Sequence, residues 1–150
     1  MALALTAKPV AVGLVALSPQ VANAAGTVAC TGNNATDVAA LKAAIVAAVP
    51  GSTITLVSSC VFTLTAANSL GSDDGLPTIS KKLVIEGNGA TITRSANLAT
   101  PRFRILHVAS TGNLTLRHTT ISNGSILGGG GGGGITNQGI LAVEHSTITR

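Results

Sequence analysis

A strand-like pattern that recurs every 27 to 31 residues constrains this fold more than any other feature. Residues 141–149 read LAVEHSTIT and residues 114–122 read LTLRHTTIS, so leucine, histidine, threonine and isoleucine recur 27 positions apart. Earlier copies begin at Leu83, 31 positions before Leu114, and at Ile54, 29 positions before Leu83. Short alternating copies bounded by glycine and asparagine are typical of stacked coils, in which like side chains lie one strand spacing apart, about 4.7–4.9 Å.

The repeat predicts an all-β fold: a right-handed parallel β-helix, or solenoid, of about four coils, closed at its amino end by one capping α-helix. Composition favours a narrow interior, because the 150 residues include 18 glycines, two phenylalanines and neither tryptophan nor tyrosine. Thin stacked coils have little room for aromatic rings. We predict a signal peptide at residues 1–24, an amino-terminal segment with the capping helix at residues 25–52, and coils at residues 53–150.

The last copy ends directly after a strand, with no capping segment behind it. An uncovered strand edge recruits another strand. We therefore expect the coils to be truncated at the carboxyl end, and the chain to self-associate end to end through its last coil.

The amino terminus carries the pattern of a secretory leader. One cation, Lys8, precedes an apolar run at residues 10–17, and the small-x-small sequence ANA follows at residues 22–24. The run is too short for a membrane span, which takes about 20 residues. We predict a secreted protein that is extracellular or at the cell surface. Lipid attachment at Cys30 is the less favoured alternative, because TVA at residues 27–29 is a poor lipidation signal.

Apolar residues at helical spacing predict the helix over residues 37–49, with Thr36 or Asp37 as its cap and Pro50 as its stop. Cys30 precedes this helix and Cys60 ends the first coil. With export and an even count of two cysteines, a Cys30–Cys60 disulfide is favoured over two buried thiols. The spacing and the lack of further clustered ligands argue against a zinc or C-x-x-C redox site.

Two columns of side chains follow from the register. Glu86, Arg117 and Glu144 occupy equivalent positions, so that charges of opposite sign alternate along the stack. His118 and His145 share the next position. Without a third ligand in register, we interpret them as exposed turn histidines rather than metal ligands.

The acidic residues predict no catalytic site. Glycoside hydrolysis needs two carboxylates about 5–5.5 Å apart for retention, or about 6.5–9.5 Å for inversion. Only Asp73 and Asp74 of the five acids are adjacent, and a Gly-Ser-Asp-Asp-Gly sequence is more typical of a solvated turn. The glycine run at residues 128–134 indicates a flexible loop rather than a phosphate cradle, since no strand and helix flank it. We expect no catalytic, metal-binding or cofactor-binding residue.

From Asp37 onward the chain resembles the secreted right-handed parallel β-helix repeat proteins of bacteria, related to the pectate-lyase-like and polymorphic outer-membrane repeat families. The resemblance is carried by the blocks DVAALKAAIVAA, GSTITLVSSCVFTLT, DGLPTISKKLVIEGNGATITRS, FRILHVASTGNLTLRHTTISNG and GGGITNQGILAVEHSTIT. It implies a triangular coil fold and an exported protein. It implies no activity, because one fold hosts many functions.

These observations predict a structural, adhesive or carbohydrate-binding surface module whose partner is extracellular polysaccharide or the cell surface. The alternative is a polysaccharide lyase or glycoside hydrolase whose active coils lie beyond residue 150. Nucleic acid is not an expected partner, because the cations are scattered and no aromatic residues are interleaved with them.

Overall fold

The computed structural model describes residues 26–127 and 132–150, which form one α-helix and eleven short β-strands. The helix and strands are β1 Thr27–Val28, α1 Asn34–Ala47, β2 Ser52–Leu56, β3 Val61–Leu64, β4 Lys82–Glu86, β5 Thr91–Arg94, β6 Leu106–Val108, β7 Asn113–Arg117, β8 Thr120–Ser122, β9 Ile135–Asn137, β10 Ile140–Glu144 and β11 Thr147–Ile148. The predicted signal peptide, and residues 128–131 of the glycine run, lie outside the described residues.

The strands pair in parallel to form three sheets. The first has the order β1-β2-β4-β7-β10, the second β11-β8-β5-β3, and the third β6-β9. The strands of one copy of the repeat therefore lie in different sheets, and each pairs with strands of the neighbouring copies.

The register confirms three of the four copies as they were aligned from the sequence. Leu114 pairs with Leu83 on one side and with Leu141 on the other. The predicted alignment of the first copy is wrong by two residues, because Ile54 pairs with Ile85 rather than with Leu83. A shift of two residues leaves every side chain on the same face of its strand, so the apolar pattern alone does not distinguish the two registers.

The prediction of an all-β right-handed β-helix of about four coils is wrong. The chain is mixed α/β, with parallel sheets of five, four and two strands beside one helix, and the described residues form no closed solenoid. The third sheet, β6-β9, is the incomplete one. Residues 74–79 and 104 contribute only the isolated bridges Asp74–Arg104 and Ile79–Val108. Pro77 lies in this segment, and proline cannot donate to a strand ladder.

The helix α1 begins three residues before the predicted start because Asn33 is its cap. The Asn33 side chain accepts a hydrogen bond from the Thr36 N–H at 3.3 Å. Asp37, one of the two predicted caps, instead lies in the first turn and accepts from Thr31. Leu41 and Ile45 are buried under the helix.

The core is a set of aliphatic columns that the three sheets share. In β2 the buried and half-buried residues alternate along the strand, as expected where one face packs inward. Both phenylalanines are fully buried. The buried aliphatic residues of the strands include Ile54, Leu56, Leu64, Leu83, Ile85, Ile92, Leu106, Val108, Leu114, Leu116 and Ile121.

The predicted disulfide is confirmed. Cys30 and Cys60 are bonded, with their Cα atoms 5.9 Å apart. The bond joins the segment before α1 to the residue that precedes β3. No helix among the described residues is long and apolar enough to cross a membrane.

Candidate functional site

The adjacent acids of the Asn68–Gly75 loop are held by ion pairs. The Asp74 carboxylate lies 2.8 Å from Arg104 Nε and 3.1 Å from His107 Nδ1, and its side chain is 13% exposed. Asp73 is 73% exposed and lies 3.7 Å from the same guanidinium. The Asp74 pairs fasten the loop to the segment that leads into β6, so Asp74 is not the solvated turn residue that the sequence suggests.

The predicted column of alternating charge is present on the outer face of the first sheet. Arg117 lies between Glu86 and Glu144 in the register, and its Nε is 2.7 Å from Glu144 Oε2. Glu86 Oε1 lies 2.9 Å from His118 Nδ1. The His118 ring stacks on His145 with centroids 5.2 Å apart. The predicted histidine column therefore exists: the two rings stack, and the His118 ring also contacts a carboxylate.

One cluster that the sequence did not suggest surrounds the disulfide. The two sulfur atoms and a carboxylate oxygen of Asp37 all lie within 4.8 Å of one another. Because the sulfur atoms of Cys30 and Cys60 are bonded to each other, neither is a thiolate that could bind a metal ion.

A concavity of about 810 Å³ lies beyond the carboxyl ends of β5, β8 and β11. Its polar lining comes from three arginines and from asparagine, serine and threonine side chains. The lining residues are Arg94, Ala96, Arg102, Asn123, Gly124, Ser125, Ile126, Gly133, Gly134, Ile148, Thr149 and Arg150. We call this concavity the arginine cleft.

Backbone carbonyl groups hold the Arg94 side chain in place. Its Nε donates to the carbonyl of Asn123 at 2.9 Å, and its Nη1 donates to the carbonyls of Thr100 and Pro101 at 3.3 and 3.4 Å. Its other terminal nitrogen, Nη2, has no acceptor among the described residues. The guanidinium is therefore fixed while two of its five N–H donors stay available.

No aspartate or glutamate side chain offsets the positive charge of the arginine side chains in the arginine cleft. The acids of the chain are Asp37, Asp73, Asp74, Glu86 and Glu144, and none of them lines the cleft. By contrast, Arg104 and Arg117 each lie beside a carboxylate. A half-buried, fixed guanidinium without a carboxylate partner is a site for an anion.

A second, smaller concavity of about 200 Å³ continues the cleft. It shares Arg94, Ala96, Arg102 and Ser125 with the larger one, and adds residues of the loop that ends at Thr100. A groove of about 760 Å³ between α1 and β3 is separate from both and contains one cation, Lys42. Burial lowers the pKa of Lys42.

Sequence reasoning missed the arginine cleft because its cations are far apart in the chain. Arg94 and Arg102 bracket one loop, whereas Arg150 belongs to the last copy. The signal that could have found them is the register: Leu64 pairs with Arg94, so an arginine replaces an inward-facing aliphatic residue where β5 ends.

Comparison with protein-family models, with curated proteins and with solved structures finds no match to this chain. The resemblance to bacterial β-helix repeat proteins therefore stays a prediction from sequence blocks. The function has to be inferred from the chemistry of the site itself.

Proposed function

We propose that this chain is an exported binding module that attaches to acidic polysaccharide through the arginine cleft. The observation that carries the proposal is the fixed Arg94 guanidinium, which faces a cleft with Arg102 and Arg150 and no aspartate or glutamate side chain. The Cys30–Cys60 disulfide supports a location outside the cytoplasm, where such bonds persist.

The chemistry of the lining fits an acidic sugar. Guanidinium groups bind carboxylate and sulfate oxygens with two parallel hydrogen bonds, and these are the charged groups of acidic polysaccharides. Asn123, Ser125 and Thr149 add amide and hydroxyl groups that can exchange hydrogen bonds with sugar hydroxyls. An open cleft, rather than an enclosed cavity, suits one segment of a long polymer.

Nucleic acid is the other common polyanion, and the side-chain inventory disfavours it. Stable binding of single strands uses aromatic side chains on which bases stack. The chain has no tryptophan or tyrosine, and Phe62 and Phe103 are fully buried.

Binding is favoured over cleavage because most of the carboxylates already face a basic side chain. Asp74 faces Arg104 and His107, Glu86 faces His118, and Glu144 faces Arg117. A sugar hydrolase needs a facing pair of carboxyl groups at the bound bond.

Affinity electrophoresis with hyaluronate, alginate and neutral dextran tests the proposal. We expect retardation by the two acidic polymers, none by dextran, and a loss of retardation when sodium chloride is raised from about 50 to 500 mM. Arg102→Gln should weaken binding about tenfold or more, because a hydrogen bond to a charged group contributes about 1.5–3 kcal/mol. The matched control is Lys82→Gln, which removes the same charge from β4, away from the cleft. Retardation by dextran equal to that by the acidic polymers would contradict the proposal. Equal weakening of polysaccharide binding by Arg102→Gln and Lys82→Gln would also contradict it.

A further inference from the structure

Three leucines are exposed far more than apolar residues usually are. Leu70 is 105% exposed, Leu98 103% and Leu127 76%, relative to a fully accessible residue. Each stands in a different connecting loop, among small and polar residues. A single exposed leucine needs no explanation, but three in successive loops do.

The three leucines follow the repeat. Thr93 pairs with Thr63 on one side and with Ser122 on the other side in the second sheet. Leu98 stands five positions after Thr93, and Leu127 five positions after Ser122.

Leu70 stands seven positions after Thr63. The loops that follow β3, β5 and β8 therefore start at the carboxyl ends of neighbouring strands in the second sheet.

The loops also return to one place. Asp74 bridges Arg104, where the first two loops end. The backbone N–H of Ile105 donates to the carbonyl of Gly134, where the third loop ends. The shared points of departure and return indicate that Leu70, Leu98 and Leu127 lie toward the same corner of the molecule. We call these residues the leucine corner.

The leucine corner adjoins positive charge. Leu98 lines the smaller concavity together with Arg94 and Arg102. The nearest acids on the loops are Asp73 and Asp74, and Arg104 lies against both. Exposed apolar tips beside the cations Arg94 and Arg102 form an amphipathic surface.

We propose that the leucine corner docks on an anionic lipid bilayer, with the leucines at the boundary between head groups and acyl chains. Arg94 and Arg102 then face lipid phosphates at the depth of the head groups. A protein partner is less suitable, because the leucines stand singly on separate polar loops and form no continuous apolar face. A bilayer accepts separate apolar tips without shape complementarity. This docking goes beyond the polysaccharide binding proposed above and does not depend on it.

Vesicle flotation tests the docking with the full chain. We expect binding to vesicles of phosphatidylcholine and phosphatidylglycerol at 3:1, and at least about tenfold weaker binding to pure phosphatidylcholine, because anionic lipid attracts cations near the surface. Replacing Leu70, Leu98 and Leu127 together by serine should weaken binding to the anionic vesicles about a hundredfold, since three apolar side chains no longer leave water. The double variant Leu70→Ser, Leu127→Ser, at positions that line neither concavity, should also weaken binding to the anionic vesicles and should keep wild-type retardation by hyaluronate, which separates the two proposals.

A matched control replaces three exposed apolar residues away from the corner, Val46, Val61 and Ile140, by serine. This variant should bind the anionic vesicles as the wild type does. Equal binding by the leucine variant and the wild type, or no binding of the wild type to anionic vesicles, would overturn the proposal. A second readout uses the absence of tryptophan from the chain. In Leu98→Trp, a blue shift of the fluorescence on adding anionic vesicles supports insertion, and an unchanged spectrum overturns it.

Discussion

The side chain of Asn34 forms hydrogen bonds with both backbone groups of Thr63. Its Nδ2 donates to the Thr63 carbonyl at 2.8 Å, and its Oδ1 accepts from the Thr63 N–H at 2.7 Å. Thr63 lies in β3, the outermost strand of the second sheet. One amide on α1 thus takes the place of a neighbouring strand, and it covers an edge that could otherwise recruit another chain.

Removing this amide should destabilise the fold. We expect Asn34→Ala to lower the free energy of unfolding by about 1–3 kcal/mol, because the partly buried N–H and C=O of Thr63 both lose their partners. Urea denaturation followed by circular dichroism measures the change. Asn68→Ala, at an exposed loop position, is the control and should stay within about 0.5 kcal/mol of the wild type. Equal stability of the two variants would show that Asn34 does not support the edge.

The disulfide should contribute more than any single hydrogen bond. Cys30 and Cys60 are separated by 30 positions, and a loop of that size predicts about 3–4 kcal/mol from the restricted unfolded chain. We expect the double variant Cys30→Ala, Cys60→Ala to lose about this much in urea denaturation. Adding a reductant should destabilise the wild type and leave the double variant unchanged. A wild type that is indifferent to reductant would contradict this account.

The stability that the charge column of the first sheet contributes should depend on the sign of the charge at Arg117. Arg117→Glu places three carboxylates at successive positions with Glu86 and Glu144, and should destabilise by about 1 kcal/mol because the side chains are partly exposed. Lys82→Glu changes the net charge equally at an exposed position beside Asn113. We expect the difference between the two variants to shrink in 1 M sodium chloride. Equal effects of both variants at low salt would argue against the column.

The amino-terminal turn of α1 should be sensitive to acid. Hydrogen bonds from the side chain and backbone of Thr31 hold the pKa of Asp37 below the ordinary value of an aspartate. A carboxylate with a lowered folded-state pKa stabilises the fold above its unfolded pKa, and this contribution is lost as the pH falls below about 4 through the folded pKa.

We therefore expect Thr31→Val, which removes the hydroxyl donor at 2.7 Å, to raise the pKa of Asp37. The loss of stability between about pH 4 and pH 2 should become smaller in this variant. Carbon-13 detection of the Asp37 carboxyl group gives the pKa directly. Thr78→Val, at an exposed position, should leave it unchanged. An ordinary pKa of Asp37 in the wild type would refute the assigned cause.

The sequence predicted the parts of the fold that depend on local pattern. Alternating apolar residues fixed the strands around Leu83, Leu114 and Leu141, because one buried face requires a period of two. The helix cap was misassigned because Asn33, Thr36 and Asp37 are all competent caps, and only tertiary contacts select among them. The prediction of about four coils was wrong because Pro77 and long polar loops interrupt the strand ladder next to the third sheet.

The site was less predictable than the fold. Arg94 and Arg102 gain their role from the carbonyls and loops that surround them, and neither feature has a sequence motif. The position of Asp74 against Arg104 likewise depends on a bridge between residues 30 positions apart. By contrast, the Cys30–Cys60 bond could be predicted, because two cysteines allow only one pairing.

The most direct test of the central claim is to locate the bound polysaccharide on the protein. In a titration of nitrogen-15-labelled protein with a hyaluronate hexasaccharide, we expect amide shifts to concentrate at Ala96, Arg102, Asn123 and Ser125, which line the arginine cleft. Amides of the groove at Lys42 and Thr65 should stay unchanged. Shifts concentrated in that groove, or no shifts at saturating oligosaccharide, would contradict the assignment of the arginine cleft as the binding site.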